Sequence, residues 1–409
     1  MTLNPAINKG PAGMAMPVAE TRRRSNRLRR FDWTLLGAAL ALSVYGAILV
    51  WSATRGRTNL TGGDPQFFLK RHLMNLAIGV VLMAATSLLS YAWVRAVTPV
   101  FYVLALLGLV AVLSPLGSTV NGAKSWIELG GGFSIQPAEY CKVAVVLGLA
   151  VVLTLPPTKG ALSGMSERDD AVTPRRIAAA ALVAGGPTAV IMLLPDLGSA
   201  MVILVATGGL LVFAGTSGRW LAALGAGAAL AAVAATQLHL LAQHQVNRFA
   251  AFADPHLDPQ GVGYNTAQAR LAIGSGGVLG KGLFNGTQTN GRYVPEQQTD
   301  FVFTVAGEEL GFVGGVVLIA LFGVLLMRGI AIARQCDDLF GMLVCAGVVS
   351  WFAFETFENI GMTLGIMPVA GIPLPFVSYG GSSMFASFIA IGLVENVRLR
   401  STRPAITVQ

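Results

Sequence analysis

The chain has 409 residues, of which 54% are hydrophobic and only 12% are charged. Soluble domains usually carry about 25% charged residues, so this composition excludes a soluble globular protein and a disordered chain, and it indicates a polytopic membrane protein. The three cysteines, Cys141, Cys336 and Cys345, lack the spacing of metal ligands, so we predict neither a metal site nor a disulfide from them.

The formal net charge of +8 is distributed unevenly along the chain. Arginines crowd before the first apolar segment and after the last one, at Arg22, Arg23, Arg24, Arg27, Arg29, Arg30, Arg398, Arg400 and Arg403. Because Lys and Arg mark the cytoplasmic ends of membrane helices, we expect both termini in the cytoplasm and an even number of spans. Topology accounts for these arginines, so no nucleic-acid partner is predicted.

In chain order, residues 1–30 are predicted to form a disordered basic tail, residues 31–400 a transmembrane domain, and residues 401–409 a second cytoplasmic tail. A spanning helix needs about 20 mostly apolar residues. Ten segments meet this condition, near residues 32–54, 72–90, 94–115, 137–156, 176–195, 198–215, 219–240, 301–328, 339–362 and 378–397. The predicted fold class is therefore all-α, a multi-pass protein of the cytoplasmic membrane.

A large extracytoplasmic loop, about residues 241–300, precedes the eighth span. Such long connections are uncommon and are often functional. Within it, residues 265–282 predict a short interfacial helix and then a glycine-rich turn, which we expect to be free to move. The loop carries four basic residues on the disfavoured face of the membrane, Arg248, Arg270, Lys281 and Arg292. The first outward loop is basic as well, at Arg55, Arg57, Lys70 and Arg71. An anionic ligand on the outer face would explain these charges.

Glu139 and Lys142 lie at the start of the fourth span, three residues apart and hence on one helix face. Two interpretations remain open for this pair. The side chains neutralise each other and hold the helix end in place, or Lys142 faces an outer cavity and binds a phosphate while Glu139 positions it.

Asp300 lies where the polar loop meets the eighth span, and two interpretations compete for it as well. A carboxylate in the first turn of a helix is stabilised by about 0.3–1 kcal/mol, so Asp300 is a candidate cap. The alternative is a catalytic base, because further carboxylates occur deeper in this span and in two others, at Glu308, Glu309, Glu139, Glu355 and Glu358. Charges are costly inside a membrane, so these residues predict a shared polar cavity. For Asp196, in the sequence PDLGSAM, capping alone is sufficient.

Residues 365–383 contain three prolines and four glycines, which excludes an ordinary helix there. Irregular backbone at membrane depth is tolerated only against protein or water, so we expect a re-entrant or capping loop over the cavity. Ser378 in this loop is a candidate ligand-binding residue, and packing of small side chains is the equal alternative.

Four stretches closely resemble signatures of the SEDS family of shape, elongation, division and sporulation proteins. They are NGAKSWIELGGGFSIQPAEYCKVAV, LPDLGSAMVI, PEQQTDFVFTVAGEELGFVGG and GIMPVAGIPLPFVSYGGSS, in the family's order along residues 31–400. The stretch from residue 274 to 301 resembles the RodA branch more than the FtsW branch. Three positions depart from the family pattern, at Ala138, at Gln298 and at the Lys124–Ser125 pair before Trp126.

This resemblance implies ten membrane helices and polymerisation of glycan strands of peptidoglycan from lipid II, an undecaprenyl diphosphate-linked disaccharide peptide. It also implies a class B penicillin-binding protein as the crosslinking partner. Asp300 corresponds to the family's essential carboxylate, and Glu139 and Lys142 correspond to the charged residues of its QPSExxK motif.

The favoured hypothesis is a glycosyltransferase that works at the outer face of the membrane, among membrane lipid. Asp300 would accept the proton of the attacking sugar hydroxyl. Lys142 would stabilise the departing diphosphate, with Arg248, Arg270, Lys281 and Arg292 as helpers. No cofactor is certain; a divalent cation, Mg²⁺ or Mn²⁺, is a candidate for sharing this task, although no ligand set is legible. The rival hypotheses are a lipid II flippase and a scaffold of the cell-wall synthesis complex without activity of its own.

Overall fold

A computed structural model describes residues 30–56, 63–120, 123–130, 133–155, 172–194, 196–237, 245–246, 248, 250, 252 and 261–400. The two predicted tails, 1–30 and 401–409, lie outside the described residues apart from Arg30. Most of the predicted connection between the fourth and fifth spans, residues 156–171, lies outside them as well.

The described residues form an α-helical bundle, which confirms the predicted fold class. Seven helices precede the long loop: α1 (Trp33–Thr54), α2 (Phe67–Leu88), α3 (Tyr91–Leu113), α4 (Pro137–Thr154), α5 (Pro174–Leu193), α6 (Leu197–Phe213) and α7 (Gly218–Gln237). Two lie within the loop, α8 (Val262–Ser275) and α9 (Thr287–Gly291), and four come after it: α10 (Val302–Glu309), α11 (Gly311–Gln335), α12 (Leu339–Leu364) and α13 (Gly381–Arg400). Of these described helices, nine are long and apolar enough to cross a membrane. The apolar helix α6, with 17 residues, is the tenth segment.

The eighth span begins later than the sequence predicts, because the helix breaks between α10 and α11. Gly311 has a φ of 66°, in the left-handed region that favours glycine. The break frees backbone groups that pair with the turn after α8. The N–H of Gly282 donates to the carbonyl of Glu309 at 3.0 Å, and the N–H of Phe312 donates to the carbonyl of Gly277 at 2.9 Å. The short helix α10 thus belongs to the loop, and α11 alone forms the span.

The glycines of this turn permit close packing. A β-carbon added to Gly276 would lie 2.0 Å from the carbonyl oxygen of Gly307, and one added to Gly280 would lie 2.1 Å from that of Glu309. Side chains at these positions would push the turn away from the helix break. The expectation that these two glycines serve mobility is therefore replaced by a packing role.

A small antiparallel sheet lies between α3 and α4, which the hydropathy pattern did not predict. Its strands are β1 (Gly117–Val120), β2 (Ala123–Gly130) and β3 (Phe133–Ile135), in the order β1-β2-β3. Ile127 pairs with Gly117 of β1 and with Ile135 of β3. The backbone N–H of Gln136, just after β3, donates to the Ser382 hydroxyl at 2.9 Å, which fastens the sheet to α13.

The irregular segment between α12 and α13 is confirmed over residues 365–380. Phe376 holds it inside the bundle: its ring centroid lies 5.3 Å from that of Phe352 and 5.2 Å from that of Phe388, both in edge-on contact. Such aromatic pairs add to the free energy of burial. The irregular backbone is thereby packed against protein, as membrane depth requires.

Candidate active site

A cavity of about 670 Å³ opens at the end of the bundle where α4 begins and α12 ends. Its wall is built from the first turns of α2, the sheet, the starts of α4, α6 and α13, the segment before α10 and the irregular segment 365–380, together with Arg248 from the long loop. Polar and charged lining residues include Lys70, Arg71, Asn75, Ser125, Gln136, Glu139, Asp196, Arg248, Glu296, Thr299 and Asp300. The wall also includes Trp126, Phe133, Tyr379 and Phe385. A cavity with apolar and aromatic walls and convergent charged groups is typical of a binding site.

Asp300 lines this cavity and does not cap a helix. The N-cap position of α10 is Phe301, and no side chain caps the helix there. The backbone around Asp300 is held on both sides: its N–H donates to the Glu296 carbonyl at 3.1 Å, and its own carbonyl accepts from Asn359 Nδ2 at 2.8 Å. The capping interpretation is therefore wrong, and the half-buried carboxylate is available to the cavity.

The surroundings of Asp300 favour its neutral form more than water would. Burial and the neighbouring Glu296 carboxylate raise the pKa of Asp300 to about 6, while Arg248 and a hydrogen bond from Thr299 act in the opposite direction. A carboxylate with this pKa is ionised at neutral pH and is a stronger base than an ordinary aspartate, which suits proton abstraction.

Arg248 is the one predicted loop cation that the structure brings to the cavity. Its Nη1 donates to the carbonyl of Ala370 at 3.1 Å. Gly371 lies between the arginine and Asp300, because a β-carbon added there would be 3.5 Å from Asp300 Oδ2 and 3.8 Å from the guanidinium. The φ of Gly371 is 71°, so this close passage of the backbone uses a conformation that favours glycine.

The other three predicted loop cations are occupied elsewhere and do not line the cavity. Arg270 is exposed, and its Nε donates to the carbonyl of Leu364 at 3.1 Å. Lys281 Nζ donates to Glu308 at 2.8 Å, and Arg292 donates to the backbone carbonyl of Gly56.

Lys142 lies behind the cavity wall, where 2% of its side chain is exposed. Its Nζ donates to Glu139 Oε1 at 2.7 Å and also to Glu355 Oε1 from α12. The ring of Trp351 lies 5.2 Å from the ammonium. Glu139 itself lines the cavity, and its second oxygen has no hydrogen-bond partner among the described residues. The geometry matches the first interpretation of the pair, extended by Glu355 as a third member.

Ser378 is buried and does not line the cavity. Its hydroxyl accepts from the N–H of Leu374 at 2.8 Å and donates to the carbonyl of Thr299. It therefore fastens the irregular segment to the residue that precedes Asp300.

Glu308 and Glu309, which we expected in the cavity, hold the long loop instead. Glu308 accepts from Lys281, and also from the N–H groups of Gln288 and Thr289 at 2.8 Å each, at the start of α9. Glu309 accepts from the N–H of Phe284 in the loop at 3.1 Å and from the Ser52 hydroxyl of α1 at 2.7 Å. Burial alone would raise the pKa of Glu308, but the hydrogen bonds from Lys281 and from the start of α9 hold that pKa below its usual range.

Asp196 caps α6, as predicted: it accepts from the N–H of Ser199 at 3.0 Å. It lines the cavity at the same time.

Three charged residues of the cavity, Lys70, Arg71 and Glu296, received no role from the sequence. Lys70 and Arg71 were visible only as basic residues that violate the topology rule, and they lie in the first turns of α2. Lys70 makes an exposed ion pair with Asp64 at 2.8 Å. Glu296 gave no sequence signal beyond its place in the motif.

Among the residues that the structure describes, no group of three or more His, Cys, Asp or Glu is arranged to hold a metal ion. The candidate Mg²⁺ or Mn²⁺ therefore has no ligand set among these residues.

Comparison with known proteins places this geometry in a family. The model of the FtsW/RodA/SpoVE cell cycle protein family matches residues 32–403. The probable peptidoglycan glycosyltransferase FtsW of Trichlorobacter lovleyi is 33% identical over 388 residues, which cover 92% of this chain and 96% of that protein. The peptidoglycan glycosyltransferase MrdB of Escherichia coli is 35% identical over 372 residues, 90% of this chain and 93% of that protein.

Solved structures agree with these relatives. A chain from a peptidoglycan synthase complex that coordinates polymerization and crosslinking superimposes with a TM-score of 0.73 at 30% identity, covering 91% of this chain and 99% of that chain. The family model runs over nearly the whole chain and includes the segments that build the cavity. This chain belongs to the FtsW/RodA/SpoVE family, the SEDS family that its motifs resemble.

Proposed function

We propose that this chain is a peptidoglycan glycosyltransferase that polymerises lipid II into glycan strands, with Asp300 as the general base. The observation that carries the proposal is the Asp300 carboxylate, which lines a cavity and caps no helix. Its raised pKa, about 6, supports the same role. Two relatives that align with this chain over more than nine-tenths of their own length are named peptidoglycan glycosyltransferases.

In the proposed reaction, the 4-hydroxyl of a lipid II sugar attacks the anomeric carbon of the growing strand. Asp300 takes the hydroxyl proton as the new carbon–oxygen bond forms. The bond between the anomeric carbon and the diphosphate oxygen breaks, and the lipid diphosphate leaves with the electron pair. Its negative charge then needs fixed cations nearby.

Three cations of the cavity are placed for this task, Lys70 and Arg71 on α2 and Arg248 beside the irregular segment. We therefore transfer the diphosphate-binding role from Lys142 to these residues. Lys142, held between two glutamates, keeps Glu139 at the wall of the cavity.

The proposed orientation puts the cavity at the outer face and both termini in the cytoplasm. It follows from the positive-inside rule applied to the arginines around the first and last helices. The proposed partner is a class B penicillin-binding protein, which would crosslink the strands. The match to a chain of a peptidoglycan synthase complex supports a crosslinking partner.

The test is polymerisation of lipid II by purified protein, with glycan products resolved by size. The parent chain and a Glu128→Gln control should make long products, because Glu128 is exposed on β2 and does not line the cavity. Asp300→Asn should lose activity while keeping its thermal stability, since it removes only the basic oxygen. Full activity of Asp300→Asn would exclude the base, and lipid II movement across vesicles without any polymer would favour the flippase.

A further inference from the structure

Glu296 has an unusual backbone in the turn that leads to the base. Its φ is 49°, in the left-handed region that non-glycine residues seldom adopt. Such a conformation costs free energy and persists only where the surrounding structure holds it. It is also part of the cavity wall, together with Thr299 and Asp300.

The conformation turns the Glu296 carbonyl toward the residues that follow. This one oxygen accepts the N–H groups of Thr299 at 3.2 Å, of Asp300 at 3.1 Å and of Phe301 at 3.2 Å. It also accepts the Thr299 hydroxyl at 3.2 Å. The position of the Asp300 backbone therefore depends on how Glu296 is oriented.

The side chain of Glu296 lies close to the same base. Its Oε2 accepts from Gln298 Nε2 at 3.1 Å and is 3.4 Å from the Thr299 hydroxyl. That hydroxyl is also a hydrogen-bond partner of the Asp300 carboxylate. A hydroxyl has a single proton to donate, so the acceptors around Thr299 compete for it.

We propose that Glu296 is a positioning residue for Asp300: its carbonyl oxygen fixes the turn that carries the base, and the negative charge of its side chain tunes that base. The inference rests on the proposed function and deepens it. Arg248 from the long loop and Asp196 before α6 act on Asp300 too. Glu139, Lys70 and Arg71 are the other charged residues that line the same cavity. Of these, Arg248 and Glu139 are fixed by the contacts described above, and Glu296 alone shares the turn with Asp300.

Two variants separate the two roles. Glu296→Gln removes the charge and keeps the size of the side chain. Glu296→Gly removes the side chain and relieves the left-handed backbone, while the carbonyl stays. Glu128→Gln controls for the loss of one carboxylate from the protein.

The first measurement is kcat/KM for lipid II against pH. Without the neighbouring negative charge Asp300 ionises more easily, so the acid limb should move to lower pH by on the order of one unit in both variants. The limb should stay in place in Glu128→Gln. A residue with a purely structural role would lower the rate at every pH and leave the limb unmoved.

The second measurement does not require activity. Carbodiimide labels protonated carboxyl groups, and mass spectrometry reads the labelling of Asp300 as a function of pH. The labelling midpoint should fall in Glu296→Gln and in Glu296→Gly, and Glu296→Gly should melt no lower than the parent. An unchanged midpoint in folded Glu296→Gly overturns the tuning role. A melting temperature of Glu296→Gly well below the parent would mean that the removed side chain, and not the retained carbonyl, holds the turn, which overturns the positional role assigned to the carbonyl. Failure of the proposed function would instead appear as polymerisation that survives Asp300→Asn, and the labelling result would stand by itself.

Discussion

Lys142→Met provides a sharp test of what the buried charges of α4 and α12 do. The ammonium of Lys142 lies between Glu139 and Glu355, whose side chains are 1% and 0% exposed. Removing it leaves two facing carboxylates without their cation. Breaking a buried ion pair in this way costs roughly 3–5 kcal/mol, so the variant should melt several degrees below the parent.

The assay measures thermal unfolding in detergent beside lipid II polymerisation. Lys142→Met should lose both stability and activity. The triple variant Glu139→Gln, Lys142→Met and Glu355→Gln replaces the cluster with neutral groups of similar size and should regain most of the stability. If Lys142 acts only through this cluster, activity should return to the level of Glu139→Gln alone.

Lys70→Met is the matched control, because it removes a lysine whose ion pair with Asp64 is exposed. A surface pair contributes about 0–1 kcal/mol, so Lys70→Met should keep its stability and yet raise the KM for lipid II. The reasoning is refuted by a triple variant as stable as the parent that stays inactive while Glu139→Gln is active. That result would indicate that Lys142 itself binds the diphosphate.

Three further predictions concern the cavity and the loop. Arg71→Met and Arg248→Met should raise the KM for lipid II, and Arg270→Met and Arg292→Met should leave it unchanged, since only the first two residues line the cavity. Added salt should raise the KM further where the remaining contacts with lipid II are exposed to solvent. Gly276→Ala should lower the melting temperature because its β-carbon meets the Gly307 carbonyl, whereas Gly274→Ala, with open space around it, should not. The pKa of Glu308 in the folded protein is depressed below the ordinary value of 4.5, so the stabilisation that its ionised carboxylate gives the loop is present above pH 4.5 and is lost as the pH falls through the folded-state pKa. Hydrogen exchange of residues 276–292 should rise in that acidic range. Glu308→Gln should show high exchange already at neutral pH.

Hydropathy predicted the bundle well because the length of an apolar segment is a local property of the chain. Ten segments and the irregular stretch 365–380 follow from composition alone. The break between α10 and α11 does not, because it depends on pairing with a turn about 30 residues earlier in the chain. The small sheet was missed for a related reason: its strands satisfy their backbone groups by pairing with each other, and no apolar period marks them.

The sequence predicted the residue that carries the chemistry, Asp300. It did not predict which basic residues face the cavity, because that depends on the groups each one contacts in the folded protein. Asp300 could be found from its motif and from the cost of a carboxylate near a membrane. The sequence does not show which loop cations line the cavity, because Lys281 instead donates to Glu308 and Arg270 donates to the carbonyl of Leu364. Lys70 and Arg71 were visible as misplaced positive charge, but nothing local says that α2 opens onto the same cavity as Asp300.

The base is held by irregular backbone, and that arrangement has a physical reason. A helix directs side chains outward at fixed intervals, whereas the segments around Asp300 and Ile372 bring two non-helical stretches together. Their carbonyl groups lack the backbone N–H donors that a helix would provide. The side-chain amide of Asn359 donates to both, at 2.8 Å to the carbonyl of Asp300 and at 2.7 Å to that of Ile372. Leaving a buried carbonyl without a donor costs about 1–3 kcal/mol. The amide of Asn359 therefore stabilises the non-helical wall from the helical core, and the carboxylate of Asp300 is fixed in place while its oxygens stay open to the cavity.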